Sequence, residues 1–100
     1  MLCLEVSVNG ERWCRAGIGE FGSMDAAVTW VGVEGGSDPP TTLSVTGLPH
    51  GAPALHWREI TRRLVPGDVV EVRLVEGDPD EGTVTPPIPR ASWPREPGEA

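Results

Sequence analysis

The chain contains no lysine: all eight of its basic residues are arginine. That absence removes Schiff-base chemistry, a lysine general base and a phosphate-cradling ammonium from the functions open to it. We read the arginine-only usage mainly as a composition bias. Positive charge is scarce altogether, because 8 basic residues stand against 15 acidic ones for a formal net charge of -7. Nucleic-acid binders gain affinity by displacing phosphate counterions with excess positive charge, so no nucleic-acid partner is expected. An acidic surface serves solubility or meets a basic partner.

Long apolar runs are missing too. No segment approaches the roughly 20 apolar residues that a helix needs to cross a bilayer. The opening stretch MLCLEVSVNGE also lacks a charged leader followed by a long apolar run. The expectation is a protein without membrane contact, placed in the cytoplasm. Its two cysteines, Cys3 and Cys14, are too few for a disulfide framework. A length of 100 residues suits one domain with one modest core.

Reactive motifs are equally sparse. There is no G-x-S-x-G nucleophile elbow, and a triad drawn from Cys14, Glu5 and a distant histidine is a drawing that almost any protein permits. Cys3, Cys14, His50 and His56 are the only soft metal ligands. Four ligands is the number a structural zinc takes, but no C-x₂-C knuckle is present and the spacings fit no zinc module. Glu76, Asp78, Asp80 and Glu81 form an acidic cluster, which Pro79 interrupts and which lacks the twelve-residue calcium pattern. Gly17-Ile18-Gly19-Glu20-Phe21-Gly22 spells G-x-G-x-x-G. A dinucleotide site needs a helix and a returning parallel strand after it, and glycines at a bend between strands explain the run better. No catalytic, cofactor-binding or metal-binding residue is therefore assigned, and no cofactor is expected.

What is present reads as β-structure. The clearest strand lies in Leu64 to Gly77, LVPGDVVEVRLVEG, where the turn Pro66-Gly67-Asp68 leads into an alternation of Val70, Val72 and Leu74 on an expected core face with Glu71 and Arg73 opposite. Residues 2 to 8 alternate as well, and Asn9-Gly10 is the strongest short hairpin signal, since both positions accept the positive φ of a type I′ turn. The spacing predicts a hairpin over about 2 to 18. In it Val8 faces Glu11, Val6 faces Trp13 and Glu5 faces Cys14; Leu2, Leu4, Val6, Val8 and Trp13 form the core side. Cys3 and Cys14 then lie on the opposite face, diagonally placed and unbonded unless a bulge shifts the register.

Ser23 to Glu34 fits both a helical stripe (Met24, Ala27, Val28, Val31) and a strand; the β-branched density and Gly32 favour a strand over about 25 to 33. Thr41 to Thr46 alternates with Leu43 and Val45 on one face, Ala54 to Trp57 reads as a short strand, and Glu59 to Leu64 as a helical turn or extended segment. Trp13, Trp30 and Trp57, on these strands, are expected in the core.

The predicted architecture is all-β: about six short, mainly antiparallel strands in a small sandwich or partly open barrel. Residues 1 to 77 form the domain, and the acidic, proline-rich residues 78 to 100 a flexible or extended tail. Within that tail Pro86, Pro89 and Arg90 carry P-x-x-P spacing beside arginine, and Trp93 is costly to leave exposed without a partner. Together with Arg62 and Arg63, which suit an anionic group but also a solvated edge, these are the candidate partner-binding residues. The leading functional expectation is a non-enzymatic protein–protein interaction module, of which an inhibitor or immunity-type binder is one version. A structural subunit that self-associates through its sheet edges, and a metal-dependent or cysteine-based enzyme, are the alternatives.

Overall fold

A computed structural model describes residues 1–19, 21–32 and 40–86. The described residues form eight strands: β1 (Leu2–Val8), β2 (Glu11–Ala16), β3 (Gly22–Thr29), β4 (Thr41–Pro49), β5 (Leu55–His56), β6 (Arg62–Leu64), β7 (Val70–Glu76) and β8 (Thr83–Val84). They build two antiparallel sheets, one ordered β2-β1-β7 and one ordered β3-β4-β5-β8 with β6 also pairing β4. The all-β class and the two-sheet packing follow the sequence expectation, and the described residues contain no helix.

The first hairpin turns at Asn9 and Gly10, whose φ values of 54° and 82° are the left-handed pair a two-residue loop demands. Its register departs from expectation beyond the first pairs. Val8 opposes Glu11 and Ser7 opposes Arg12, but Val6 then opposes Cys14 and Glu5 opposes Arg15. Trp13 is thus the extra residue of a β-bulge, and both Trp13 and Cys14 join the buried cluster with Val6, Val8, Leu43, Val45, Trp57 and Leu64. Cys14 is accordingly a core residue and not an outer-face one. Cys3 does point to the outer face but is buried there: a side chain built on Gly17 would stand 3.1 Å from its Sγ, 3.0 Å from Met1 Sδ and 3.1 Å from Pro79. Both thiols are free, as expected.

β4 is the central strand of the second sheet. Its inward residues Leu43, Val45 and Gly47 are all buried, opposite Val28, Ala26 and Met24 of β3. β3 begins and ends earlier than the expected 25–33, so Trp30 and Val31 lie beyond it. Trp30, expected in the core, is 70% exposed. Glu59 to Leu64 contributes the short strand β6 and no helical turn. The glycine-rich run carries the chain from the first sheet to the second; Gly19 and Gly22 have φ of 95° and 132°, and β3 starts directly at Gly22.

Residues 77–86 are hydrogen-bonded into the fold. Gly77 N–H donates to Met1 O (3.0 Å), Asp80 N–H to Arg15 O (2.8 Å) and Thr85 N–H to Ala54 O (2.8 Å). Trp57 Nε1 donates to the Asp80 carbonyl at 2.9 Å, and β8 pairs with β5. This segment straps one sheet to the other, so the first nine residues of the expected tail run extended and in contact with the body; residues 87–100 lie outside the described residues.

A second clamp ties the two tight turns together. Asn9 Nδ2 donates to Asp68 Oδ1 (2.9 Å), Val69 N–H donates to Asn9 Oδ1 (2.9 Å), and Val65 N–H donates to Asp68 Oδ2 (2.8 Å). These bonds favour the ionised carboxylate, the Asn9 amide most and the Val65 N–H next, and hold Asp68 below the usual aspartate range. A lowered folded-state value contributes stability above the ordinary value of about 3.9, and that contribution is lost as pH falls through the lowered one. Asp68→Asn is therefore expected to be less stable than wild type at neutral pH, with the gap narrowing as pH falls below about 4. Urea midpoints across the acid range check this; a gap independent of pH would refute it.

Candidate functional site

The two sheets are offset. β1 lies over β3 and β2 over β4, which leaves β7 outside the overlap. Val70, at the start of β7, packs against the core cluster. Further along, the same inward face is open to solvent: Val72 is 46% exposed and Leu74 71% exposed. Both were expected in the core. They do lie on the predicted face, since Val72 pairs with Val6 and Leu74 with Leu4, but among the described residues no strand of the second sheet covers them. Leu2, 51% exposed and diagonal to Leu74, and half-buried Leu4 extend the patch, so the outer end of the expected β1 core face is uncovered as well.

β7 is also an edge strand. Among the described residues, only β1 pairs with it, over seven consecutive residues without a register shift. It contains neither proline nor glycine. The opposite edge of that sheet is treated differently. β2 carries the bulge at Trp13, and Asp80 caps its outer side, accepting from Arg15 N–H at 2.8 Å through Oδ2 and returning its own N–H to Arg15 O. Arg12 completes the cap, 2.9 Å from Asp80 Oδ1. In the other sheet, β8 has two residues only. Sheet edges are commonly protected in these ways, and β7 carries none of the devices that blunt β2 and β8.

The polar side of the first sheet presents alternating charge. Arg15 donates from Nε (3.0 Å) and Nη2 (2.6 Å) to Glu5, a pairing that raises the already high Arg15 pKa, and Arg73 pairs with Glu71 two residues away on β7. Glu5, Ser7, Arg12, Glu71 and Arg73 line an open hollow of about 370 Å³ there. Each of its charges already has a partner: Glu71 has Arg73 within the hollow, and Glu5 and Arg12 pair with Arg15 and Asp80 beyond it.

The soft ligands are scattered. Cys14 sits in the core, where burial, reinforced by the Asp80 carboxylate, pushes its thiol up to about 11; it is protonated and unreactive at neutral pH. Cys3 Sγ lies 3.5 Å from Met1 O and 3.6 Å from Gly77 O. His56 is buried with Nδ1 at 3.0 Å from Thr85 Oγ1, whereas His50 is exposed in a turn. No group of three or more His, Cys, Asp or Glu residues is placed to hold a metal among the described residues. The acidic cluster at 76–81 disperses likewise: Asp80 serves the β2 cap and Glu76 lies 3.6 Å from the N-terminal ammonium.

Of the candidate partner-binding residues, Arg62 lies over the Trp13 ring, 6.0 Å from its centroid. Arg63 is exposed and lines a separate, more apolar hollow of about 420 Å³ with Trp30, Pro40, Leu64, Val65 and Pro66. Pro86 is exposed at the end of the described chain, and Pro89, Arg90 and Trp93 lie outside it. The structure thus brings Arg63 and Trp30 together and separates both from β7. Sequence reasoning missed the β7 face as a site because alternation looks the same whether a face is covered or not. No helix among the described residues is long and apolar enough to cross a membrane. Comparison with protein-family models, curated proteins and solved structures gives no match to this chain.

Proposed function

We propose that this protein is a non-enzymatic interaction module that meets a protein partner through the uncovered face and free edge of β7. One observation carries the reading: an inward-facing apolar side chain, Leu74, stands 71% exposed on a seven-residue edge strand with no bulge, proline or glycine. Exposed apolar surface beside unpaired backbone donors and acceptors is the combination that strand addition uses, the backbone supplying affinity and the side chains specificity. The buried, protonated Cys14 and the dispersed histidines argue in the same direction, since neither offers an activated nucleophile.

The test compares the full-length chain with its Leu74→Glu variant as baits in extract from the native source. Leu74 contributes little to the core, so the variant keeps its fold, which circular dichroism verifies. A chain recovered by wild type, a further copy of the protein included, is expected to fall at least about tenfold with the variant. Equal recovery by both baits, or no recovery by either, overturns the assignment of this surface.

A further inference from the structure

We propose that the partner β7 takes up is a second copy of the same chain, the two β7 strands pairing antiparallel about a two-fold axis through Val72. This rests on the reading of β7 as the recognition edge and adds the identity and register of what it recognises. The inference comes from the order of residues along the strand, Val70-Glu71-Val72-Arg73-Leu74. In an antiparallel pair, directly opposite residues share a face and their side chains interact. With the axis at Val72, Val70 opposes Leu74 of the second copy, Val72 opposes its own equivalent, and Glu71 opposes Arg73 of the second copy twice over. Apolar residues meet on the uncovered face and opposite charges meet on the polar face.

The neighbouring registers fail on charge. An axis at Arg73 sets two guanidinium groups against each other, an axis at Glu71 sets two carboxylates together, and the odd registers on either side set apolar side chains against charged ones. Glu71 and Arg73 already pair within one strand, so association exchanges an existing partner for an equivalent one and strands neither charge. The other long free edge lacks this complementarity. β3 carries Asp25 near its middle as its single charge, and a two-fold pairing about that point brings two aspartates together.

Joining copies at β7 turns two three-stranded sheets into one of six, with β7 at the centre and its backbone groups paired. The edge that lacks protection is thereby removed, by closed two-fold association and without open-ended growth. Leu74 of each copy then borders Val70 of the other, at the end of β7 where the core has its cover.

Sedimentation of the full-length chain over a range of about 1 μM to 1 mM tests the proposal. Wild type is expected to dimerise. Glu71→Arg and Arg73→Glu, each at an exposed position, are each expected to raise the dissociation constant at least about tenfold, because each sets like charges across the seam. An equimolar mixture of the two variants is expected to form a heterodimer with an affinity within about threefold of wild type, since each charge at positions 71 and 73 is then opposed by its opposite. Rescue in the mixture is the signature of this register, as a rearrangement within one chain cannot produce it. A monomeric wild type at the highest concentration overturns the proposal, leaving the β7 reading to the Leu74→Glu capture. Dimers that persist in both single variants, or a mixture that stays monomeric, overturn it equally.

Discussion

Replacing Trp57 by alanine is expected to lower the free energy of unfolding by about 3–5 kcal/mol, a large share of what a domain of this size possesses. Trp57 is 1% exposed and is the largest fully buried side chain among the described residues. Its ring runs between the backbone of β4 at Gly47 and the strap at Gly82: side chains built there would stand 2.9 Å and 3.1 Å from ring atoms. Its Nε1 donates to the Asp80 carbonyl at 2.9 Å. Truncation opens a cavity between the sheets and leaves that carbonyl without its donor. It also loosens residues 77–84, whose Asp80 caps β2. Trp57→Phe keeps one aromatic ring but loses the N–H and part of the indole volume, so its cost is expected at about 1–3 kcal/mol, from an unsatisfied buried acceptor together with a smaller cavity. Urea unfolding followed by circular dichroism measures both. A loss below about 1 kcal/mol for Trp57→Ala would mean that the ring is not the packing centre described.

Gly47→Val should be nearly as damaging, at roughly 3 kcal/mol or more, because it overfills the same space. Gly47 lies mid-strand and fully enclosed on β4, opposite Met24. The constraint is close approach: a Cβ there would be 2.8 Å from Ile18 Cγ2, 2.9 Å from Trp57 Cη2 and 3.0 Å from Trp57 Cζ3. The indole is held by its hydrogen bond and cannot yield without breaking it. The two sites share one space, so Gly47→Val combined with Trp57→Ala is expected to cost less than the sum of the separate changes, by about 0.5–3 kcal/mol. Thermal and urea midpoints of the two single variants and the double variant form the test, and strict additivity would show that Gly47 and Trp57 do not share a cavity.

Neither substitution touches Val72 or Leu74, which separates stability from recognition in this molecule. The residues that hold the sandwich together lie where β1 and β2 overlap β3 and β4. The surface proposed for recognition lies where β7 passes beyond that overlap, so changes at Glu71, Arg73 or Leu74 are readable as changes in association.

Much of the fold was legible from local pattern. Asn9-Gly10 specified its hairpin because only certain residues accept positive φ at two consecutive positions, and Leu43 and Val45 specified the inner face of β4 because a strand alternates its side chains with period two. These are properties of a few adjacent residues. The bulge at Trp13 was not legible, since an extra residue is admitted for what it packs against, here the core between the sheets. Trp30 was misplaced for a related reason: tryptophan and valine mark a strand-forming run but not where the run leaves the sheet.

By itself, then, the sequence determined an acidic, lysine-free chain of all-β class, its principal strands and the identity of its tightest turn. Only the tertiary structure decided which apolar faces are covered. Val70, Val72 and Leu74 share one face and nearly the same chemistry, yet the first packs against the core and the other two are left exposed. The difference arises from the offset of one sheet against the other, and with it the strap from Gly77 to Val84 that Trp57 anchors. Burial is a relation between elements distant along the chain, and no stretch of local sequence contains it.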